Sequence, residues 1–248
     1  MTKTILEQEV TIPIRGKKIL RGTLVRSLKS NGKLVIFVHG LFGHQNDHIF
    51  FNGAPEFSKK RIDSYRFDLY PGYKGTRSFN TSSASLQASD LESVIEHFSK
   101  KYSDITIVAH SMGGYITLLW NATYKNSVKR FVLWDPSWEP KHTFGDLPFS
   151  KEIDAYVMKG KTDIIIKKSI VEESKKLPDI ENLVKKIAVP LFIIGAIKGG
   201  KKIAEELYFN NATCPKKFIV FETDHCFSSK EIEKKLFKET ISWINYTS

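Results

Sequence analysis

The chain has 248 residues, of which 41% are hydrophobic and 26% are charged, and its formal net charge is +11. This length and composition predict one α/β domain with a sizeable core. No run of eighteen apolar residues occurs, which excludes a transmembrane helix, and the two cysteines, Cys214 and Cys226, are too few for a disulfide framework.

The positive charge by itself does not predict nucleic-acid binding. The lysines are spread along the chain, with no arginine-rich or aromatic-interleaved block, and this distribution is typical of a solvated basic surface. The first residues include the acid Glu7 where a signal peptide would be apolar. Together with the low cysteine count, this leads us to expect a reducing, cytoplasmic location.

Two alternating segments open the chain. Residues 4–14 and 17–27 alternate apolar and polar side chains, and Gly16 between them predicts a β-hairpin. Residues 34–38 form a continuous apolar run, which is typical of a strand that is covered on both faces. That strand ends in residues 39–43, which read His-Gly-Leu-Phe-Gly.

Further helices and strands follow in alternation. The sequence predicts a weak helix over residues 55–60, a strand over residues 64–69 and a bulky loop over residues 70–78. From Leu91 to Tyr102, apolar residues recur at helical spacing and predict an amphipathic helix that packs on the sheet.

A strand, a tight turn and a helix then follow one another directly. The β-branched run at residues 105–108 predicts a buried strand, and a helical pattern covers residues 115–124. Ser111 lies at the apex of the turn, two residues after Ala109 and two before Gly113, an arrangement that is typical of a nucleophile elbow. The alternative is a serine at an ordinary helix N-cap.

The segment over residues 138–188 lacks the regular alternation of the rest of the chain. It follows an apolar strand predicted over residues 129–134, which ends at Asp135. Prolines divide the segment into short pieces with mixed aromatic and β-branched composition. It is either a loop-borne structure that carries specificity or a plain pair of packing helices.

The last part of the chain returns to regular elements. Strands are predicted over residues 189–194 and 217–222, with a helix over residues 201–209 between them. Ser228 and Glu231 have the spacing of a capping box and predict the start of a final helix.

Three stretches of the sequence resemble the α/β-hydrolase family, in particular its small serine esterases and its lipase-like and S33 peptidase-like members. They are residues 35–41, the turn around Ser111, and residues 223–225, which read Thr-Asp-His. The resemblance implies an α/β-hydrolase fold with a mostly parallel, doubly wound sheet. It also implies a core of residues 1–137 and 189–248, with residues 138–188 as a small lid inserted after the sixth strand.

The same resemblance assigns roles to residues of the site. It implies that Ser111 is the nucleophile, that His225 is the general base, and that the N–H groups of Leu41 and Met112 form the oxyanion hole. No cofactor and no metal are expected, and the spacing of His44 and His48 does not come with the other ligands of a metal site.

The acid of the triad departs from the family pattern. The family usually carries an aspartate in the loop after the seventh strand, where this chain has Gly199 and no carboxylate over residues 195–200. We expect Asp135 to replace it, because a strand end holds a carboxylate rigidly and the order Ser–Asp–His is kept. Asp163 in the predicted lid, Glu222 and Asp224 are the other candidates, and a serine–histidine dyad or a decayed enzyme also remains open.

The expected function is hydrolysis of a carboxylic ester of a small or medium apolar acid, through an acyl-enzyme on Ser111. A non-catalytic protein that binds a ligand or a partner is the alternative, and amide or C–C bond hydrolysis by the same residues is not separable from the sequence. Some of the apolar residues of the segment over residues 138–188, such as Phe144, Phe149, Tyr156 and Met158, are predicted to line the acyl pocket. The expected partner is a small-molecule ester, and the sequence does not disclose the oligomeric state.

Overall fold

A computed structural model describes residues 5–124, 128–160 and 162–246 and shows one central sheet of eight strands. In space the order of these strands is β1-β2-β4-β3-β5-β6-β10-β11, in which β1 and β2 are antiparallel to their neighbours and the others run parallel. The strands are β1 Ile5–Ile14, β2 Lys18–Ser27, β3 Lys33–Val38, β4 Asp63–Phe67, β5 Asp104–His110, β6 Arg130–Trp134, β10 Leu191–Lys198 and β11 Lys216–Asp224. This mostly parallel sheet and the opening hairpin confirm the predicted fold. Thr4, where the predicted first strand begins, lies outside the described residues.

Helices cover both faces of the sheet. The longer ones are α1 His48–Lys59, α2 Ala84–Ser99, α3 Met112–Thr123, α7 Lys201–Ile203 with its π-helical continuation Ala204–Phe209, and α8 Lys230–Tyr246. Apolar residues of α2, α3 and α7 bury one face, and those of α1 and α8 bury the other. Within the described ranges, none of the helices has the length and hydropathy of a membrane span.

The irregular segment after β6 forms a small substructure of its own. It contains α4 Pro140–Phe144, a three-stranded antiparallel sheet of β7 Phe149–Ser150, β8 Ala155–Met158 and β9 Ile164–Lys167, and the helices α5 Lys168–Ser174 and α6 Ile180–Val184. Phe144, Ile166, Ile170 and Val171 make a separate apolar cluster that contacts Leu41. By contrast, Ile180 and Leu183 of α6 pack into the main core.

Two helix starts differ from the sequence prediction. Helix α1 begins at His48 instead of residue 55, and Pro55 lies inside it. Burial outweighs the helix-breaking tendency of proline here, because Phe50, Ala54 and Phe57 of this helix are buried against the sheet. The side chain that caps α8 is Ser229, whose Oγ accepts a hydrogen bond from the Ile232 N–H, while the Ser228 hydroxyl bonds Asp224 instead.

Candidate active site

Ser111 lies at the junction of β5 and α3 with a strained backbone. Its φ is +54° and its ψ is −125°, a backbone conformation that residues other than glycine rarely adopt. Its N–H donates to the Trp134 carbonyl at 3.1 Å and its carbonyl accepts from the Gly114 N–H at 3.0 Å. The turn therefore holds the serine at the carboxyl end of the sheet, as in a nucleophile elbow.

Close backbone contacts explain the small residues around Ser111. A Cβ at Gly113 would lie 2.5 Å from the Val38 carbonyl oxygen, and a Cβ at Gly40 would lie 2.8 Å from the Ser111 Cβ. The backbone at the end of β3 therefore requires glycine at position 113. Ala109, two residues before Ser111, is fully buried.

The loop after β3 is held by two side chains. The Gly40 carbonyl accepts hydrogen bonds from His39 Nδ1–H at 2.8 Å and from the Tyr70 hydroxyl at 3.1 Å, and the same hydroxyl accepts from the Phe42 N–H at 3.0 Å. His39 Nε2 accepts from the Leu69 N–H at 3.0 Å, which fixes its tautomer. Burial lowers the pKa of His39, so the ring is neutral and supports the loop.

The predicted oxyanion-hole donors border the same turn. Met112 is the first residue of α3, so its N–H has no acceptor within the helix. Among the backbone hydrogen bonds of the described ranges, neither the Leu41 N–H nor the Met112 N–H is a donor. Both amides are therefore available to an oxyanion formed at Ser111.

Asp135 and His225 are in direct contact. His225 Nδ1 lies 2.6 Å from Asp135 Oδ2, and the carboxylate is completely buried. Its Oδ1 also accepts from the Ala196 N–H at 2.7 Å, and its Oδ2 accepts from the Gly200 N–H at 2.7 Å. Three donors thus fix the carboxylate at the end of β6 and orient the imidazole.

Gly199 explains how Asp135 reaches this position. A Cβ at residue 199 would lie 2.2 Å from Asp135 Oδ2. A side chain at this position and the present placement of the Asp135 carboxylate therefore exclude each other. The Asp135 carboxylate, at the end of β6, can occupy this space because residue 199 has no side chain.

The other candidate acids lie elsewhere. Asp163 is half exposed and pairs with Lys159 at 2.6 Å, and Glu222 is exposed on β11. Asp224 uses its carboxylate locally, since Oδ1 accepts from the Cys226 N–H at 2.8 Å and from the Ser228 hydroxyl at 3.0 Å. Asp224 therefore shapes the loop that carries His225.

A second histidine, His110, contacts His225 through a hydrogen bond to its backbone. Its Nε2–H donates to the His225 carbonyl at 2.9 Å, and the two ring centroids are 4.7 Å apart. Burial, with a smaller effect of the His225 charge, lowers the pKa of His110 to about 4. The ring is thus neutral near pH 7 and positions the loop without adding charge to the site.

Two clefts share Leu41 as a lining residue. The wider one has a volume of about 250 Å³, and both Ser111 and His225 line it, although no hydrogen bond joins their side chains in the described part of the chain. Such bonds are often long in unliganded sites and shorten when substrate binds. The narrow cleft is mainly apolar, and its walls include Leu41, Tyr70, Phe79, Met112, Phe144 and Ile170.

The four apolar residues considered for the acyl pocket differ in their positions relative to the narrow cleft. Phe144 lines it, but Tyr156 and Met158 do not and instead pack behind the apolar cluster of the irregular segment. Phe149 is 40% exposed and makes an edge-to-face contact with Tyr156, with ring centroids 5.1 Å apart. Tyr156 and Met158 alternate onto one face of β8, and both pack against the apolar cluster.

Comparison with known proteins gives a family match along much of the chain. The family model described as alpha/beta hydrolase fold matches residues 33–163, which is more than half of the chain. In a comparison with curated proteins, no sequence matches.

Solved structures of esterases and hydrolases resemble the chain over almost its whole length. Est1E from Butyrivibrio proteoclasticus with bound ferulic acid has a TM-score of 0.80 at 18% identity, over 96% of this chain and 98% of that protein. The esterase domain of a Rhodothermus marinus protein has a TM-score of 0.73 at 18% identity, over 96% and 97%. Dienelactone hydrolase from Anabaena variabilis has a TM-score of 0.71 at 14% identity, over 98% of both chains. At these identities the resemblance shows the fold.

The contact between Asp135 and His225 predicts the effect of neutralising this carboxylate. Asp135→Asn should slow the labelling of Ser111 by a fluorophosphonate by roughly 10²–10⁴-fold, because the imidazole loses the partner that orients it. Asp163→Asn and Glu222→Gln should label at close to the wild-type rate. A normal rate for Asp135→Asn together with a collapse for Asp163→Asn would place the acid in the irregular segment.

The close approach at Gly199 gives a second prediction. Gly199→Ala should displace the Asp135 carboxylate, so that the labelling rate and the melting temperature both fall. Gly200→Ala is the matched control, because its Cβ would lie 3.1 Å from the nearest atom, the Pro136 carbonyl oxygen, and 3.4 Å from both carboxylate oxygens. Equal behaviour of the two variants would contradict the steric argument.

Proposed function

Because the chain belongs to the α/β-hydrolase fold family, we propose that it is a serine hydrolase that cleaves the carboxylic ester of a small or medium apolar acid. The observation that carries this proposal is the buried Asp135 carboxylate, which bonds His225 beside the strained Ser111. An acid is thus present even though the usual loop lacks one. The contact between these residues favours a catalytic site over a decayed one.

The reaction uses the two nitrogens of His225 differently. Nδ1–H donates to Asp135, so Nε2 is the nitrogen that takes the proton of the Ser111 hydroxyl as Oγ attacks the ester carbonyl. The negative charge that develops on the carbonyl oxygen is stabilised by the N–H groups of Leu41 and Met112. His225 then protonates the leaving alcohol. In the second half of the reaction, His225 takes a proton from the water molecule that attacks the acyl-enzyme, and it returns a proton to Ser111 as the acid is released.

The narrow cleft is the best candidate for the acyl group. Leu41 and Met112, whose N–H groups would bind the oxyanion, also form part of its wall, so the cleft starts where the carbonyl group would lie. Its volume is about 20 Å³, which is room for roughly one water molecule. An acyl chain would therefore have to separate the walls.

Phe144 and Ile170 belong to the segment over residues 138–188, and their side chains stand on one side of this cleft. We propose that this segment is the lid, and that displacement of its α4–α5 part opens the acyl pocket. The main-core packing of α6 supports a hinge before Ile180.

The nucleophile assignment predicts the result of a hydrolysis screen over p-nitrophenyl esters of graded chain length. Wild-type protein should cleave the shorter esters, and Ser111→Ala should lose about 10⁶-fold in turnover, as for removal of the nucleophile in other triads. Absence of both turnover and fluorophosphonate labelling would instead favour a ligand-binding protein of this fold. An active Ser111→Ala protein would disprove the assignment.

The acyl cleft predicts a change of chain-length preference. Phe144→Ala should shift the preferred ester toward longer acyl chains, because it removes a ring from the wall of the cleft. Tyr156→Ala is the control, since that side chain lies behind the wall and should change the melting temperature more than the selectivity. The same selectivity profile for Phe144→Ala and wild type would argue against this acyl site.

A further inference from the structure

A second histidine–carboxylate pair lies beside the catalytic one. His48 is the first residue of α1, and its Nδ1 hydrogen-bonds Oε1 of Glu233 on α8. Asn52, one turn further along α1, donates through Nδ2 to both carboxylate oxygens of Glu233 at 3.1 Å. The Glu233 side chain is 9% exposed, so the carboxylate is buried and held by both groups.

The imidazole of His48 is accessible from the cleft that contains the catalytic residues. His48, Asp47, Ser111 and His225 all line this wider cleft, and the His48 side chain is 42% exposed. Since Nδ1 bonds Glu233, the other ring nitrogen, Nε2, is the one left for a ligand. No hydrogen bond from Nε2 to another side chain or backbone group occurs in the described part of the protein.

The chemistry of ester cleavage identifies this cleft as the side of the leaving group. His225 protonates the departing alcohol, so the alcohol must lie next to His225. The apolar cleft on the other side of Leu41 is left for the acyl group. The narrow cleft also has a carboxylate in its lining, that of Glu173, which accepts a hydrogen bond from the Ser85 N–H at 3.1 Å. The wider cleft contains the Asp47 carboxylate and the His48 ring.

These polar groups suit an alcohol that carries further hydroxyl groups. A hydroxyl both donates and accepts hydrogen bonds, so it pairs with Nε2 of His48 whether the ring is neutral or protonated. The Asp47 carboxylate is 28% exposed and can accept from a second hydroxyl. A methyl or other apolar alcohol would offer no hydrogen bond to Nε2 of His48. It would also offer none to the Asp47 carboxylate, which already accepts from the His44 N–H at 3.1 Å.

We infer that His48, held by Glu233 and Asn52, determines specificity for the leaving group, and that the substrates are esters of a polyhydroxy alcohol such as glycerol or a sugar. This inference rests on the proposed ester hydrolysis at Ser111. Glu233 acts through His48 and is a positioning residue.

The first test compares butyrate esters that differ only in the alcohol: methyl butyrate, glyceryl monobutyrate and a glucose monobutyrate. Wild-type protein should have a higher kcat/KM for the glycerol and glucose esters than for the methyl ester. In His48→Leu the ratio of these values should fall by roughly 5–30-fold, as expected for loss of one hydrogen bond. Glu233→Gln should lower the same ratio by less. His97→Leu is the control that should keep the wild-type ratio, because His97 lies on α2 and lines neither cleft.

The second test is independent of the overall rate. When p-nitrophenyl butyrate is hydrolysed with added glycerol, the acyl group on Ser111 passes either to water or to a glycerol hydroxyl, whose proton His225 takes and returns to Ser111. Wild-type protein should form glyceryl butyrate, and His48→Leu should shift the products toward free butyrate. Melting temperatures of the variants show whether each one is folded.

The outcomes separate this inference from the function on which it rests. If wild-type protein cleaves methyl butyrate but shows no preference for the hydroxylated alcohols, the inference is wrong and ester hydrolysis stands. An unchanged ratio and an unchanged product partition in folded His48→Leu would also overturn it. If no ester is cleaved and Ser111 is not labelled, the proposed function fails and the inference falls with it.

Discussion

The site depends on one buried carboxylate. Asp135 occupies the space that a side chain at residue 199 would fill, and it bonds His225 and the N–H groups of Ala196 and Gly200. A buried charge is costly unless it is fully hydrogen-bonded, and these donors meet that requirement. The position of the aspartate at the end of β6 therefore depends on the glycine in the loop after β10.

Strained backbone at the strand ends directs the functional groups into one crevice. Ser111 and Asp135 follow the neighbouring parallel strands β5 and β6, and both have positive φ values, +54° and +41°. Parallel strands end at the same edge of the sheet, where ligands bind in open α/β folds. The surrounding core is dense enough to hold such conformations, because Trp134 and Met112 beside them are buried.

The proposed placement of an ester, with its acyl group in one cleft and its alcohol in the other, follows from the residues that line the clefts. Apolar side chains from the core and from the irregular segment face the proposed acyl side, whereas Asp47 and His48 face the proposed alcohol side. Leu41 contributes to both linings. The loop that carries it is held by His39 and Tyr70, so the boundary between the two sides is among the best supported parts of the site.

The sequence by itself determined the succession of elements along the chain and the turn at Ser111, because periodicity and turn residues are local properties. Its resemblance to the α/β-hydrolase family made Asp135 a candidate for the acid. Only the tertiary structure decided which groups meet. The contacts of His225 with Asp135 and of His48 with Glu233 join residues 90 and 185 positions apart, and no local pattern encodes such distances. For the same reason the start of α1 at His48 and the packing of Tyr156 and Met158 behind the cleft were not predictable. Burial against a partner element outweighed the local signals at these positions.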